Sequence, residues 1–98
     1  MFVILWEYEV KPGCEERFES AYSTDGPWVR LFQRDPRYLH THLLRDLSRS
    51  RFYFTLDYWD SENSFQQFKA AHEEAYAAVD QSTEGLTLFE RRLTSFET

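Results

Sequence analysis

The sequence predicts one small α+β domain in which helices cover one face of an antiparallel sheet. Two kinds of pattern lead to this fold class. Several segments alternate side chains at a period of two, which is typical of strands, and others repeat apolar residues every three or four positions, which is typical of helices. Because 98 residues are too few for two independent hydrophobic cores, residues 1–98 are expected to form a single domain.

The first half of the chain predicts one strand and a two-part helical region. The strand runs from Phe2 to Lys11, and every second residue from Phe2 to Val10 is apolar. Pro12-Gly13 ends it, and a helix is expected from Cys14 to Tyr22. After a turn, helical spacing resumes from Trp28 to Phe32, with Asp25 as the expected cap and Pro27 in the first turn.

The second half predicts a hairpin, a helix and a closing strand. Tyr38 to Arg45 and Arg51 to Trp59 are expected to pair as antiparallel strands across a short polar turn. Asp60 or Ser61 then caps one helix, and Phe89 to Phe96 is the best candidate for the last strand. The apolar stripe of that helix contains Phe65, Phe68, His72, Ala75, Tyr76 and Val79.

The resulting order is β-α-β-β-α-β, the ferredoxin-like arrangement of one antiparallel sheet with both helices on one face. In a monomer the other face would meet water and should be polar. Instead, two strands are apolar on both faces. In the first strand Val3 and Leu5 lie opposite Ile4 and Trp6, and in the third strand Tyr53 and Trp59 lie opposite Phe52, Phe54, Leu56 and Tyr58. We therefore expect a homodimer in which two sheets pack face to face as a dimeric α+β barrel. The alternative is a monomer with surface aromatic residues.

Composition and charge exclude several classes of protein. Aromatic residues make up 18% of the chain, and Gly and Pro contribute three each, which excludes disordered and low-complexity classes. Eleven basic residues against 17 acidic ones argue against nucleic acid or anionic membranes as partners. A single cysteine, Cys14, and the lack of a secretory signal or a long apolar run favour a cytoplasmic protein.

Two histidine motifs are candidates for chemistry. His40 and His42 project from one face of a strand and could chelate a metal if His72 or Asp57 lay close to them. The alternative is that these histidines make ordinary hydrogen bonds, and we expect no metal site. His72 could act as a general base or as a polar anchor of a pocket together with Tyr76, or it could simply be a half-buried histidine. No nucleotide-binding, thiol-redox or hydrolase motif occurs, so an aromatic-lined pocket for a planar apolar ligand is expected.

The chain resembles the antibiotic biosynthesis monooxygenase family of dimeric α+β barrels over nearly its whole length. The resemblance is carried by the segments FVILWEYEVKPG, YLHTHLLRD and FTLDYWDSENSFQQF, above all by the junction of Trp59, Asp60 and Ser61. It implies a ferredoxin-like homodimer with a pocket between helices and sheet. It also implies oxidation of phenolic or quinol-type rings by molecular oxygen without flavin, haem or metal. In that mechanism the deprotonated substrate itself reduces oxygen.

The resemblance also suggests residue roles. Trp59 matches the Trp that closes the third strand in polyketide-oxidising members, Thr55 stands where they have an Asn donor, and Phe65 stands where they have a pocket Tyr. The candidate catalytic residues are thus His72, Trp59 and Thr55. The candidate substrate-binding residues are Trp28, Tyr22, Phe65, Phe68, Tyr76 and His42.

Three hypotheses for function follow. The first is a cofactor-independent monooxygenase acting on a small aromatic, phenolic or quinol-type substrate. The second is a non-catalytic dimeric module that binds a small molecule or a partner protein. The third is an isomerase or lyase that uses the same pocket without oxygen.

Overall fold

The computed structural model describes all 98 residues as one antiparallel four-stranded sheet with helices. The elements are β1 (Phe2–Val10), α1 (Glu15–Ala21), α2 (Pro27–Phe32), β2 (Tyr38–Arg45), β3 (Phe52–Trp59), α3 (Glu62–Ala71), α4 (Glu73–Thr83), a 3₁₀ turn (Glu84–Leu86) and β4 (Thr87–Glu97). The strands lie in the order β2-β3-β1-β4. This is the ferredoxin-like topology, so the predicted fold class is confirmed.

The long second helix of the sequence prediction is two helices, broken at His72. The backbone of His72 leaves the helical region (φ −125°, ψ 33°), so the residue both ends α3 and begins α4. The break has a packing reason, because the ring of Phe68 on α3 lies 5.0 Å from Trp59, whereas the ring of Tyr76 on α4 lies 5.0 Å from Trp28. One straight helix would carry these two rings along a single stripe. No helix in the structure is long and apolar enough to cross a membrane.

The predicted N-terminal cap is present at α3 but not at α2. Ser61 caps α3, since its Oγ accepts a hydrogen bond from the Ser64 backbone N–H at 3.1 Å. The expectation that Asp25 caps α2 is wrong, because Gly26 holds that position without a side-chain cap, although Pro27 does begin the helix. A Cβ on Gly26 would overlap the backbone carbonyl of Ala21, so the close approach of α1 and α2 requires glycine there.

The core is an aromatic layer between the helices and one face of the sheet. Ile4 and Val10 on β1, Phe18 on α1 and Trp59 on β3 are fully buried. Around Trp59 lies a ring cluster formed by Phe32, Tyr38, Phe65 and Phe68, with centroids 5.0–5.6 Å from the indole. These edge-to-face and tilted ring contacts stabilise the core in addition to the stabilisation that comes from burying apolar surface.

The opposite face of the sheet, which we call the outer face, combines apolar side chains with one ion-pair cluster. Phe52, Phe54, Leu56 and Tyr58 alternate along β3 on this face and are only partly buried. Glu7 on β1 is 5% exposed because Arg49 and Arg91 hold its two carboxylate oxygens at 3.0 and 2.9 Å. These two arginines lower the pKa of Glu7, with the Arg49 hydrogen bond as the larger cause.

Candidate functional site

A cavity opens between the helices and the inner face of the sheet. Its empty volume is about 450 Å³ including the open mouth, whereas the part that can hold the centre of a water molecule is only about 40 Å³. The free space is therefore small, so a bulky ligand would require side chains to move. Its lining consists of Trp6, Tyr8, Tyr22, Trp28, Val29, Phe32, Thr41, Thr55, Asp57, Tyr76, Asp80 and Glu90.

Three predicted substrate-binding residues form one aromatic wall of this cavity. The Trp28 ring lies 6.4 Å from Tyr22 in a stacked arrangement and 5.0 Å from Tyr76 in an edge-on arrangement. Trp28 is fixed further because its indole N–H donates to Thr83 Oγ1 at 3.3 Å. Burial raises the pKa of both Tyr22 and Tyr76 to about 12, so these hydroxyls stay neutral at physiological pH.

Thr55, a predicted catalytic residue, lies at the sheet side of the cavity and is paired with a tyrosine. Its Oγ1 is 3.0 Å from the hydroxyl of Tyr8, and either group can donate in this bond. Burial raises the pKa of Tyr8 well above its ordinary value. The pair thus presents two neutral hydroxyls to the cavity. One O–H is used in the bond between them, so one proton remains to donate to a ligand, whereas both oxygens can still accept.

Acidic groups in the cavity are the feature that sequence analysis missed as a binding element. Asp57 is 8% exposed and accepts a hydrogen bond from Thr41 Oγ1 at 2.8 Å, and Thr41 in turn lies 2.7 Å from the Tyr38 hydroxyl. Burial raises the pKa of Asp57 to about 6, although the bond from Thr41 acts in the opposite direction. Asp80 from α4 and Glu90 from β4 complete the acidic lining.

The other predicted aromatic residues lie in the core instead of the cavity lining. Trp59 and Phe68 are fully buried and Phe65 is 4% exposed, and all three belong to the ring cluster beneath α3. The Trp59 indole N–H is buried without a hydrogen-bond partner. A buried donor without a partner is destabilising, so Trp59 is held there by its ring contacts.

The histidines also lie away from the cavity lining. The His72 ring packs 4.8 Å from Phe68. His40 stacks on Tyr58 at 4.1 Å, and His42 Nδ1 lies 3.5 Å from the Tyr58 hydroxyl. No three His, Cys, Asp or Glu side chains stand close enough together to hold a metal ion.

The cavity therefore brings together four predicted site residues, Thr55, Trp28, Tyr22 and Tyr76. It also contains lining residues that were not predicted as site residues. Asp57 and Thr55 lie on the same face of β3, because they are two residues apart on a strand. Trp6 lies on the inner face of β1 by the same alternation, and the register of the two strands places it directly opposite Thr55. Glu90 and Asp80 come from distant parts of the chain, so no local pattern indicated them.

Comparison with known proteins places this geometry in a family. The profile of the antibiotic biosynthesis monooxygenases matches residues 1–81. No curated protein matches the sequence.

Solved structures share the fold at low sequence identity. SnoaB, a cofactor-independent oxygenase from Streptomyces nogalater, superposes with a TM-score of 0.79 at 18% identity, covering 99% of this chain and 91% of its own. A Nitrosomonas europaea protein named for the same family gives 0.75 at 13% identity, covering 100% and 98%. A conserved protein from Methanosarcina mazei gives 0.72 at 11% identity, covering 99% and 91%. The chain belongs to the antibiotic biosynthesis monooxygenase family.

Proposed function

We propose that the protein is a cofactor-independent monooxygenase whose substrate is a small aromatic, phenolic or quinol-type molecule bound in the cavity. The observation that carries this proposal is the cavity lined by the aromatic rings of Trp6, Trp28 and Tyr76, with the hydroxyl pair of Thr55 and Tyr8 at its sheet side. Flat rings pack against such walls, and the few polar groups fix their orientation. Membership of the family and the fold shared with a cofactor-independent oxygenase support the reaction type.

The chemistry needs little from the protein beyond binding, orientation and proton transfer. The substrate loses its hydroxyl proton, and the electron-rich ring then reduces molecular oxygen. For a phenol oxidised to a quinone, one oxygen molecule is consumed, one of its atoms becomes the new carbonyl oxygen and the other leaves as water. The hydroxyl pair of Thr55 and Tyr8 supplies one neutral donor for the substrate oxygen, where negative charge develops.

A competing function is a non-catalytic binding module on the same fold. It is favoured by the small free space of about 40 Å³ and by Thr55, which has a hydroxyl where the resembling enzymes have an amide. Both functions use the same cavity, so only turnover separates them. Binding without oxygen consumption would favour the module.

Oxygen uptake is the experiment that tests the proposal. Wild-type protein is given a panel of anthrones, naphthols and quinols, and Trp28→Ala and Thr55→Val are compared with it. We expect uptake above background for at least one compound and a loss of about ten-fold or more in each variant, because each removes a wall or a donor of the cavity. A flavin or haem band in the absorption spectrum of the purified protein would contradict the cofactor-free reaction.

The predicted role of His72 is tested in the same assay. Loss of uptake in His72→Ala would support His72 as the base. Retained uptake would assign proton transfer to a group of the cavity lining, from which His72 is absent.

We also propose that the functional unit is a homodimer formed through the outer face. This face exposes apolar side chains at both edges, including Leu44 at 46% and Phe96 at 49%, beside the half-buried row on β3. A second copy would bury the same patch on each subunit about a two-fold axis. Light scattering tests this proposal, since a mass near 12 kDa at micromolar concentration would contradict it.

A further inference from the structure

Two carboxylates on the sheet are almost equally buried, but only one has a cationic partner. Glu7 on the outer face is 5% exposed and is held by two arginines. Asp57 on the inner face is 8% exposed and takes part in none of the five ion pairs of the chain. A buried carboxylate without a cation is strongly destabilising unless donors surround it, so Asp57 requires a functional explanation.

The hydrogen bonding of Asp57 is incomplete within the protein. The Thr41 hydroxyl donates to Oδ1 at 2.8 Å, and this is the only side-chain hydrogen bond that the carboxylate makes. Oδ2 accepts no hydrogen bond from another side chain, and Asp57 lines the cavity. The lining contains no Lys, Arg or His, so the missing donor is not a neighbouring cation of the protein. Water or a ligand in the cavity can supply it, and a bound ligand that displaces the water must take over this hydrogen bond.

We propose that Asp57 accepts the proton of the aromatic hydroxyl of the substrate; this inference rests on the proposed function. The O–H bond of the substrate breaks, an O–H bond to Asp57 Oδ2 forms, and the electron pair stays on the ring oxygen. The net charge of the cavity is unchanged, since the negative charge moves from the carboxylate to the ring. The resulting anion is the species that gives electrons to molecular oxygen.

The electrostatics of the cavity suit this role. With its pKa raised to about 6 by burial, Asp57 is mostly ionised at neutral pH and is a stronger base than an ordinary carboxylate. Burial also raises the pKa of Glu90. The titratable groups that face Asp57 or share its cavity are Tyr8 of β1, Tyr22 of the segment after α1, Tyr38 of β2, Tyr76 and Asp80 of α4 and Glu90 of β4. One cation, Arg92 of β4, pairs with Trp6 in the sheet and acts on Tyr76.

A binding experiment tests the inference without relying on turnover. Isothermal titration calorimetry compares 1-naphthol with its methyl ether, which has the same ring but no proton to give. At pH 8 we expect wild-type protein to bind the naphthol about 10-fold or more tightly than the ether, the range of a hydrogen bond to a charged group. The preference should fall several-fold at pH 5 and in Asp57→Asn. Asp60→Asn, which changes an exposed carboxylate near the same strand, should behave as wild type.

A second variant keeps the inference testable if Asp57→Asn does not fold. Thr41→Val removes the one hydroxyl that stabilises the carboxylate, so the pH at which the preference for naphthol disappears should move upward. A merely structural threonine would change the affinity for both compounds equally and leave that pH in place.

The outcomes separate the inference from the proposed function. Equal binding of naphthol and ether overturns the role of Asp57 alone. Tighter binding of 1-naphthylmethylammonium than of naphthol, lost in Asp57→Asn, also overturns it and assigns a cation site. Binding of none of the compounds overturns both proposals, and an Asp57-dependent preference without oxygen uptake overturns only the oxygenase.

Discussion

Replacing Asp57 by Asn should make the protein more stable at pH 8, although it removes a polar side chain from a functional cavity. Burial raises the pKa of this carboxyl from its ordinary value of 3.8 to about 6. The native state therefore binds more protons than the unfolded state between these two pH values, and the free energy of unfolding falls as the pH rises through them. Over the whole window the ionised form makes the native state about 3 kcal/mol less stable.

Asn has nearly the shape of a protonated Asp and carries no charge, so Asp57→Asn should recover most of that free energy at pH 8. At pH 4.5, where the wild-type carboxyl is largely protonated in the native state, the difference between the two proteins should narrow to about 1 kcal/mol. Urea unfolding followed by tryptophan fluorescence measures both values. Groups with lowered pKa, such as Glu7 and Asp46, titrate in both proteins and cancel in the comparison.

Equal stability of the two proteins at pH 8 would refute this reasoning, as would a difference that is the same at both pH values. The first result would mean that water or a cation solvates Asp57 in solution. The second would mean that the variant changes packing instead of charge.

Three further predictions concern the core, the outer face and assembly. Phe68→Ala should lower the free energy of unfolding by about 3–5 kcal/mol, because the ring is fully buried. Gln66→Ala, on the exposed side of the same helix, should change that free energy little, and urea titration measures both variants. Glu7→Gln should lower the urea midpoint at pH 7, and the decrease should be much smaller at pH 3. The two arginines stabilise the ionised carboxylate, and this stabilisation is fully present above pH 4.5 and is lost as the carboxylate is protonated. An equal decrease at both pH values would contradict a role of the ion pairs. Leu56→Arg on the outer face should convert the proposed dimer to monomer in light scattering, and an unchanged mass would place the interface elsewhere.

The fold could be predicted from sequence because each strand carries its own pattern. Alternation along β1 and β3 assigned both faces of the sheet, and the spacing of Phe65 and Phe68 oriented α3. The break at His72 could not be predicted in this way, since the apolar spacing runs through it without interruption. It depends on tertiary packing, in which two parts of one stripe contact different tryptophans.

The candidate site was predicted only in part, and for a physical reason. An aromatic ring on an inward face has the same sequence signal whether it fills the core, as Trp59 does, or lines a cavity, as Trp28 does. Asp57 carried a usable signal, because a carboxylate on the inward face of a central strand is unusual. The contribution of Glu90 depends on strand pairing between the two ends of the chain, which local patterns do not encode.

Isotope labelling of the product tests the central claim most directly. Wild-type protein is incubated under ¹⁸O₂ with each anthrone, naphthol and quinol of the panel, and the quinone formed is analysed by mass spectrometry. We expect one labelled oxygen atom in each quinone molecule, with formation strongly reduced in Asp57→Asn and unchanged in Asp60→Asn. A quinone whose new oxygen comes from water, or formation no faster than in buffer alone, would contradict the assignment of this cavity as an oxygenase site.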